Sequence, residues 1–146
     1  MELQFHEIKL GDVFDFGSIV LTEEEIIEFA RNNDPIPFHL DRDVAMQSPF
    51  KGLIASGIHL FHHFYNKEWV PRFKNSVYAG KGITDWILHR PVYANRRSFC
   101  KVEIAEWDPK PERGYGSIVW HFRFTDEKEQ LLQHMDLIVF HKLIAS

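Results

Sequence analysis

The sequence has little cysteine, no excess of basic residues and no long apolar run. Its single cysteine, Cys100, cannot form an intrachain disulfide, which is typical of proteins from a reducing compartment. The formal net charge is −4, so we do not expect the basic surface that nucleic-acid binding requires. Residues 1–12 include Glu2 and Glu7 and contain no apolar segment. We therefore expect no signal peptide, no membrane span and a cytoplasmic location.

The chain is long enough to bury a sizeable core. It has 146 residues, of which 45% are hydrophobic, and it contains 13 phenylalanines and 4 tryptophans. No internal repeat and no low-complexity segment divides it. We expect residues 1–146 to form a single domain.

The first half contains helix signals. Thr22 and Glu25 are spaced as a capping box, and Pro35 requires the helix that follows Thr22 to end by Asp34. Residues 41–48 predict a short second helix capped by Asp41. Residues 56–70 predict a longer, largely buried helix with Ser56 as its cap.

The second half predicts strands. Four segments, residues 83–93, 98–108, 114–126 and 130–142, are rich in β-branched and aromatic residues, and the last three also show period-two alternation. Residues 6–22 predict one or two further short strands, broken by glycines. The fold class is therefore α+β, with one antiparallel sheet wrapped around a central helix. Such a sheet leaves a face or an edge to be covered, and a homodimer would cover it.

The segment NNDPIPFHLD, residues 32–41, is the strongest candidate for chemistry. Asp34 and His39 are five residues apart, and Pro35 and Pro37 stiffen the link, which predicts an extended loop that is neither helix nor strand. A carboxylate and an imidazole held at fixed separation can orient one water, with one group taking a proton while the other gives one. The alternative is that Asp34 caps the next turn and His39 bonds to backbone, which is the commoner outcome for so short a pattern.

Residues 29–61, FARNNDPIPFHLDRDVAMQSPFKGLIASGIHLF, resemble the MaoC-like acyl dehydratases, a family that includes the (R)-specific enoyl-CoA hydratases. The resemblance lies in an Asp, a Pro-x-His ending five residues later, then SPF and LIASG. A weaker match covers residues 82–93, which begin with Gly and include Arg-Pro-Val. Together, the two matches imply the family's hotdog fold, in which a long helix is wrapped by an antiparallel sheet and the chains pair as a dimer or dimer of dimers.

The resemblance also implies an activity and its residues. Asp34 and His39 would hold a catalytic water that adds reversibly to a trans-2-enoyl thioester and gives a (R)-3-hydroxyacyl thioester. The substrate would be an acyl-CoA or an acyl carrier protein thioester, with coenzyme A as substrate handle and with no metal or redox cofactor. The backbone N–H of Gly57 suits the developing oxyanion, because helix N-termini present free N–H groups. Ser56 could contact the substrate or simply cap the helix.

Three positions depart from the family pattern. Ile36 stands where an amide residue is usual, Lys51 stands where glycine is common, and residues 93–96, YANR, replace a Pro-Gly-Asp turn. Ile36 can only pack, either along an acyl pocket or within the core. None of these departures removes Asp34, His39 or Gly57.

Other patterns carry weaker hypotheses. His59 and His63 are four residues apart, and His59 and His62 are three apart, so either pair could hold a metal on one helix face. No third ligand is evident, so we expect no metal site. Arg96 and Arg97, with Lys101, could meet coenzyme A phosphates or simply be solvated.

Two alternative functions remain open at this point. A hotdog thioesterase would use a carboxylate on the long helix, where the sequence offers Glu68. A non-catalytic acyl-CoA-binding subunit would explain why Ile36 stands where the family usually has an amide residue.

Overall fold

The computed structural model describes residues 7–143, in which a single five-stranded sheet is the main feature. The strands are β1 (Val13–Val20), β2 (Val77–Leu88), β3 (Arg97–Lys110), β4 (Tyr115–Thr125) and β5 (Leu131–Lys142). Their order across the sheet is β1-β3-β4-β5-β2, and every neighbouring pair is antiparallel. β1 and β2 are therefore the edges. The predicted antiparallel sheet is confirmed.

The helices lie between β1 and β2 in the chain. They are α1 (Glu23–Asn33), α2 (Pro37–Leu40), α3 (Arg42–Gln47), α4 (His59–Phe64) and α5 (Val70–Phe73), and a π-helical turn, Tyr65–Trp69, joins α4 to α5. We call the continuous run of residues 59–73 the central helix. Single 3₁₀ turns follow at Lys74–Ser76 and Pro111–Arg113. Within residues 7–143, no helix is both long and apolar enough to cross a membrane.

Two of the predicted helix caps are present. Thr22 Oγ1 accepts a hydrogen bond from the Glu25 N–H at 3.1 Å, and Glu25 Oε1 accepts one from the Thr22 N–H at 3.2 Å. The Asp41 carboxylate accepts from the first free N–H groups of α3. α1 ends with Asp34 at its C-cap, as Pro35 requires.

The third predicted cap, Ser56 at the start of the central helix, is wrong. The central helix begins at His59 with Ile58 at the N-cap, and no side chain caps it. Ser56 lies two residues outside the cap, so its hydroxyl is available for another contact.

The segment between α1 and α3 also differs from the prediction. Residues 37–40 form one helical turn, not a continuous extended loop. Pro37 is the first residue of this turn, where its fixed φ suits a helix and its missing N–H costs nothing. Ile36 before it is extended, with ψ 134°. The turn directs the His39 side chain inward, and His39 is only 5% exposed.

The core lies between the central helix and one face of the sheet. Phe64, Trp69 and Phe73 are at most 1% exposed on the helix. Trp69 meets Trp120 of β4 edge to face, with ring centroids 5.4 Å apart. Every second residue of β4 is buried, because successive side chains of a strand point to opposite faces. The predicted α+β class, with the sheet around a central helix, is confirmed.

A buried polar network ties the end of the central helix to the sheet. Trp120 Nε1–H donates to His141 Nε2 at 3.0 Å, so His141 must carry its proton on Nδ1. His141 Nδ1–H then donates to Ser76 Oγ at 2.8 Å, and Ser76 Oγ–H donates to the Phe73 carbonyl at 2.9 Å. Burial lowers the pKa of His141 to about 4, so the imidazole is neutral at physiological pH.

One departure from the family pattern has a conformational consequence. Lys51 has φ 56°, in the left-handed region that favours glycine. Its side chain is exposed and its N–H donates to the Ser48 carbonyl in a turn. The lysine therefore holds a conformation that glycine would adopt without steric cost.

We expect acid to destabilise the protein through His141. The unfolded imidazole takes up its proton near pH 6.5, whereas the folded one does so only near pH 4, so the unfolded state binds more protons in between. The stabilisation is complete above pH 6.5 and is lost as pH falls toward 4. His141→Gln should reduce the slope of unfolding free energy between pH 6.5 and 5 by about 1.4 kcal/mol per pH unit in urea titrations. Ser76→Ala, which keeps the imidazole, should lower stability but retain the slope. Equal slopes in wild type and His141→Gln would contradict this.

Lys51→Gly should stabilise the protein by about 0.5–1 kcal/mol, because relief of the left-handed strain exceeds the entropy that glycine adds to the unfolded chain. Urea denaturation measures this change. Lys51→Ala is the matched control, since it removes the charge but keeps the strain, and it should give no gain. A stabilisation by alanine equal to that by glycine would show that charge, not conformation, is responsible.

Candidate active site

A cavity of about 720 Å³ opens beside the segment that contains Asp34 and His39. It lies between that segment, the stretch leading into the central helix, and the end of β2 with the loop after it. Its walls are mostly apolar and aromatic: Ile36, Phe38, Phe50, Ile54, Ile58, Trp86, Leu88 and Val92. A few polar groups also line it: Asp34, His39, the backbone of Gly57, His89, Arg90 and Gln133. A mainly apolar cavity with a few convergent polar groups is typical of small-molecule sites.

Asp34 is held at the end of α1. Its N–H donates to the Ala30 carbonyl at 2.8 Å, which closes the last turn of the helix. Its Oδ2 accepts a hydrogen bond from Ser56 Oγ at 2.6 Å. Ser56, which the sequence suggested as a helix cap, is thus a positioning residue for the Asp34 carboxylate.

His39 is held in one tautomer by a backbone carbonyl. Its Nδ1 lies 2.8 Å from the Ile54 carbonyl oxygen, which can only accept, so Nδ1 carries the proton. Nε2 is therefore the unprotonated nitrogen in the neutral ring. This nitrogen faces the Asp34 carboxylate and can accept a proton.

Nε2 of His39 lies 3.6 Å from Oδ2 of Asp34. That separation is too long for a good direct hydrogen bond, and a small polar molecule in contact with both atoms would satisfy them. The His39 side chain is 6% exposed and that of Asp34 is 30% exposed, so the pair is accessible from the Asp34 side. A base and a carboxylate therefore meet at one point of the cavity wall.

Gly57 lies on the same wall, two residues before the central helix. Within residues 7–143 its N–H makes no hydrogen bond, whereas the neighbouring N–H of His59 donates to the Ser56 carbonyl at 3.0 Å. A Cβ at position 57 would lie 2.6 Å from Leu88 Cδ1, so glycine allows this close approach. Gly57 thus places an N–H without a partner among the described residues at the cavity wall, with no side chain beside it.

Ile36 also contributes to the cavity wall. It is 41% exposed, so the core-packing alternative is wrong and the side chain is available to an apolar ligand. The cavity thus brings together Asp34, Ile36, His39 and Gly57, with Ser56 directly behind Asp34. The sequence did not indicate Trp86 or Leu88, which lie on β2 and line the cavity. It also did not indicate the Ile54 carbonyl, because a backbone carbonyl is present at every residue and has no sequence signal.

The remaining histidine candidates lie away from the cavity. His59 is buried and stacks on Phe29 with ring centroids 4.0 Å apart. Burial, and then the nearby His62, lower the pKa of His59 to about 4. In the part of the chain that the structure describes, no three His, Cys, Asp or Glu side chains are grouped so that they could hold a metal ion.

The charged residues that the sequence suggested do not line the first cavity, with the exception of Asp34. Arg96 and Arg97 line a second cavity next to the first, while Lys101 is not among its lining residues. Glu68 bonds to Arg72 at 3.0 Å on the central helix and does not line the first cavity. Asp34 is the one carboxylate among the described residues that lines that cavity.

Comparisons with known proteins agree with this architecture. The sequence model of the MaoC like domain matches residues 6–111. An uncharacterized protein, YdeM, from Bacillus subtilis is 29% identical over 110 residues, which cover 74% of this chain and 77% of that protein.

Two solved structures share the fold. A MaoC-like dehydratase from Rhodospirillum rubrum superposes with a TM-score of 0.86 at 22% identity, covering 99% of both chains. The R-hydratase PhaJ1 from Pseudomonas aeruginosa gives a TM-score of 0.77 at 18% identity, covering 97% of this chain and 86% of that one. The hotdog fold is confirmed by such structural neighbours. The family match spans well over half of the chain, and the chain therefore belongs to the MaoC-like dehydratase domain family.

Proposed function

We propose that the protein is an acyl dehydratase that adds water reversibly to a trans-2-enoyl thioester, an acyl-CoA by preference, and gives a (R)-3-hydroxyacyl thioester. The observation that carries this proposal is the fixed tautomer of His39, whose unprotonated Nε2 faces the Asp34 carboxylate at the wall of an apolar cavity. The family match and the structural similarity to an R-hydratase support the same class of reaction.

The proposed reaction begins with a water between Asp34 and His39. His39 Nε2 takes one proton of the water, and the water oxygen bonds to the electrophilic β-carbon of the enoyl group. The Asp34 carboxylate, which Ser56 holds in place, orients the water. The α-carbon then gains the proton from the imidazolium, with the help of Asp34, so that both side chains return to their starting states. The reverse sequence removes water from the 3-hydroxyacyl thioester.

Charge develops on the thioester oxygen while the β-carbon is attacked. The free N–H of Gly57 is the proposed donor to this oxygen, since a preformed donor at a developing oxyanion lowers the barrier. The N-terminal end of the central helix lies just beyond Gly57 and adds a favourable dipole. The acyl chain would lie along Ile36, Trp86 and Leu88. No metal or redox group is needed for this proton transfer, and coenzyme A serves as the handle of the substrate.

A thioesterase is the second candidate, and the position of the carboxylates disfavours it. Attack at the thioester carbonyl would be served by a carboxylate on the central helix. Glu68 is the acid that this helix offers, and it is paired with Arg72 outside the cavity. A non-catalytic acyl-binding subunit is favoured only by Ile36, which lines the cavity where the family usually has an amide.

We further propose a homodimer formed along β2, which could associate again into a dimer of dimers. β2 is an edge strand and exposes a series of large apolar side chains: Tyr78, Ile83, Ile87 and Leu88. An exposed, unpaired edge of this kind is a template for pairing with another chain. Leu88 also lines the cavity, so a partner along β2 would lie beside the site.

A cytoplasmic location fits the free, buried Cys100.

An ultraviolet assay with trans-2-enoyl-CoA thioesters tests the activity. Loss of the conjugated enoyl absorbance without release of thiol is expected for the wild type. Asp34→Asn and His39→Asn should each reduce kcat/KM by on the order of 10²–10⁴-fold, because general acid–base catalysis contributes that much. His39→Asn places an amide N–H where Nδ1–H donates to Ile54, so it removes Nε2 while keeping the structural contact.

Glu68→Gln is the matched control and should retain full activity. Thiol release that disappears in Glu68→Gln would identify a thioesterase instead. Tight binding of acyl-CoA without any turnover would select the non-catalytic subunit.

Ile83→Lys should dissociate the dimer, because it places two charges at the paired edge of the assembly. Light scattering after size-exclusion chromatography measures the mass. Val13→Lys is the control: Val13 is an exposed apolar residue, 59% exposed, on the opposite edge strand β1, and its substitution should leave the dimer intact. A monomeric wild type, or dissociation by Val13→Lys alone, would refute pairing along β2.

A further inference from the structure

A second cavity, of about 580 Å³, adjoins the first. The two share Arg90, Pro91 and Val92 in their walls, so this stretch of the loop after β2 lines both. The second cavity is bounded by that loop, the start of β3 and the turn between β4 and β5. We call it the basic groove and define it by Arg90, Arg96, Arg97 and Lys128.

The basic groove has the opposite charge from the whole protein. Four cationic side chains and two carboxylates, Asp126 and Glu127, line it, which leaves an excess of two positive charges. The chain as a whole has a net charge of −4. The groove therefore has a local positive charge that favours an anion, although long-range attraction from the rest of the protein is not expected.

The two carboxylates form no ion pair with these four cations. Asp126 accepts hydrogen bonds from the backbone N–H groups of Lys128 and Gln130, at 2.8 and 2.9 Å. Glu127 accepts from the backbone N–H of Arg97 at 3.0 Å. These acids thus stabilise the turn between β4 and β5 and its contact with β3.

The four cations have no carboxylate partner among residues 7–143. By contrast, Arg31, Arg42 and Arg72 each form an ion pair elsewhere on the surface. The Arg96 guanidinium lies over the Tyr93 ring, 5.5 Å from its centroid, which limits its motion. Arg97 donates one N–H to Ser18 Oγ at 2.9 Å and keeps its other donors. Fixed guanidinium groups with free donors are suited to phosphate oxygens.

We propose that the basic groove binds the phosphates of the carrier that presents the acyl thioester. This inference rests on the proposed function: the apolar cavity would hold the acyl end of the substrate and the basic groove the phosphorylated end. The shared loop, residues 90–92, would then lie between the two parts of one ligand. The shared chemistry is a phosphorylated pantetheine, which either coenzyme A or a carrier protein supplies.

The kinetic test compares three thioesters of the same enoyl acid: that of coenzyme A, that of 4′-phosphopantetheine, and that of pantetheine, which has no phosphate. In the double variant Arg96→Gln/Arg97→Gln, KM for the coenzyme A thioester should rise on the order of tenfold, while kcat changes less than about twofold. The pantetheine thioester should be unaffected. Arg123→Gln, which removes an exposed arginine of β4 outside the groove, is the matched control and should behave as the wild type.

The same panel identifies the source of the phosphates. If the 4′-phosphopantetheine thioester is used as well as that of coenzyme A, one phosphate is enough, as on a carrier protein. If the coenzyme A thioester is clearly better, the nucleotide phosphates contribute. Both results support the groove, whereas an unchanged KM in the double variant, or an equal loss with the pantetheine thioester, overturns it.

Calorimetric binding of free coenzyme A separates this inference from the proposed function. Binding to the wild type that weakens about tenfold in the double variant, and not in Arg123→Gln, supports the groove even if no enoyl thioester is hydrated. Arg96→Gln alone, which leaves the Arg97 contact with Ser18 in place, should show part of the effect. Equal binding by the wild type and the double variant, or no binding at all, would overturn the inference while leaving the hydration assay to judge the activity.

Discussion

The hydrogen bond from His39 Nδ1 to the Ile54 carbonyl is the contact on which the candidate site depends. It joins the one-turn helix α2 to the stretch that leads into the central helix, across a separation of 15 residues in the chain. It also decides which ring nitrogen is free. The buried donor is satisfied, so breaking the bond would leave both the donor and the carbonyl unpaired, which costs more than the bond itself contributes. Position and protonation of the imidazole thus have one cause.

The other polar groups of the site depend on the same stretch of backbone. Ser56 follows Ile54 by two residues and donates to Asp34, and Gly57 follows Ser56 with its free N–H. This stretch is itself attached to the sheet side of the cavity, since the Ala55 N–H donates to the Val92 carbonyl at 2.8 Å. Residues 54–57 therefore provide the carbonyl that His39 bonds to, the hydroxyl that bonds to Asp34 and the free N–H of Gly57. The apolar walls come from elements farther along the chain.

The fold could largely be predicted from the sequence because its signals are local. A capping box, a proline after Asp34 and period-two alternation in three segments are each signals from a few neighbouring residues. The site could be predicted in part, since Asp34, Ile36, His39, Ser56 and Gly57 do meet. The sequence offers two alternatives for His39, a bond to backbone or a place beside Asp34 in the site. The structure shows both, because Nδ1 bonds to the Ile54 carbonyl and Nε2 faces Asp34. The Ser56 cap failed because the helix begins at His59, which leaves Ser56 outside the cap position. Its hydroxyl donates to a carboxylate 22 residues away, a contact that helix-capping rules do not consider. Trp86 and Leu88 depend on sheet register, which no short motif encodes.

The free N–H at Gly57 has a consequence for how the protein tolerates sequence change. A side-chain donor can be deleted by one nucleotide substitution, whereas a backbone N–H survives nearly every replacement and can only be displaced or covered. At position 57 the constraint is instead the missing side chain, since even a Cβ would lie 2.6 Å from Leu88 Cδ1 and Leu88 would have to shift. Variation is then free to act on the surrounding walls, where residues such as Ile36 and Ile58 can be exchanged without touching the reacting groups. Under the proposed function, exchange of these wall residues would change which acyl group fits while Asp34 and His39 stay in place.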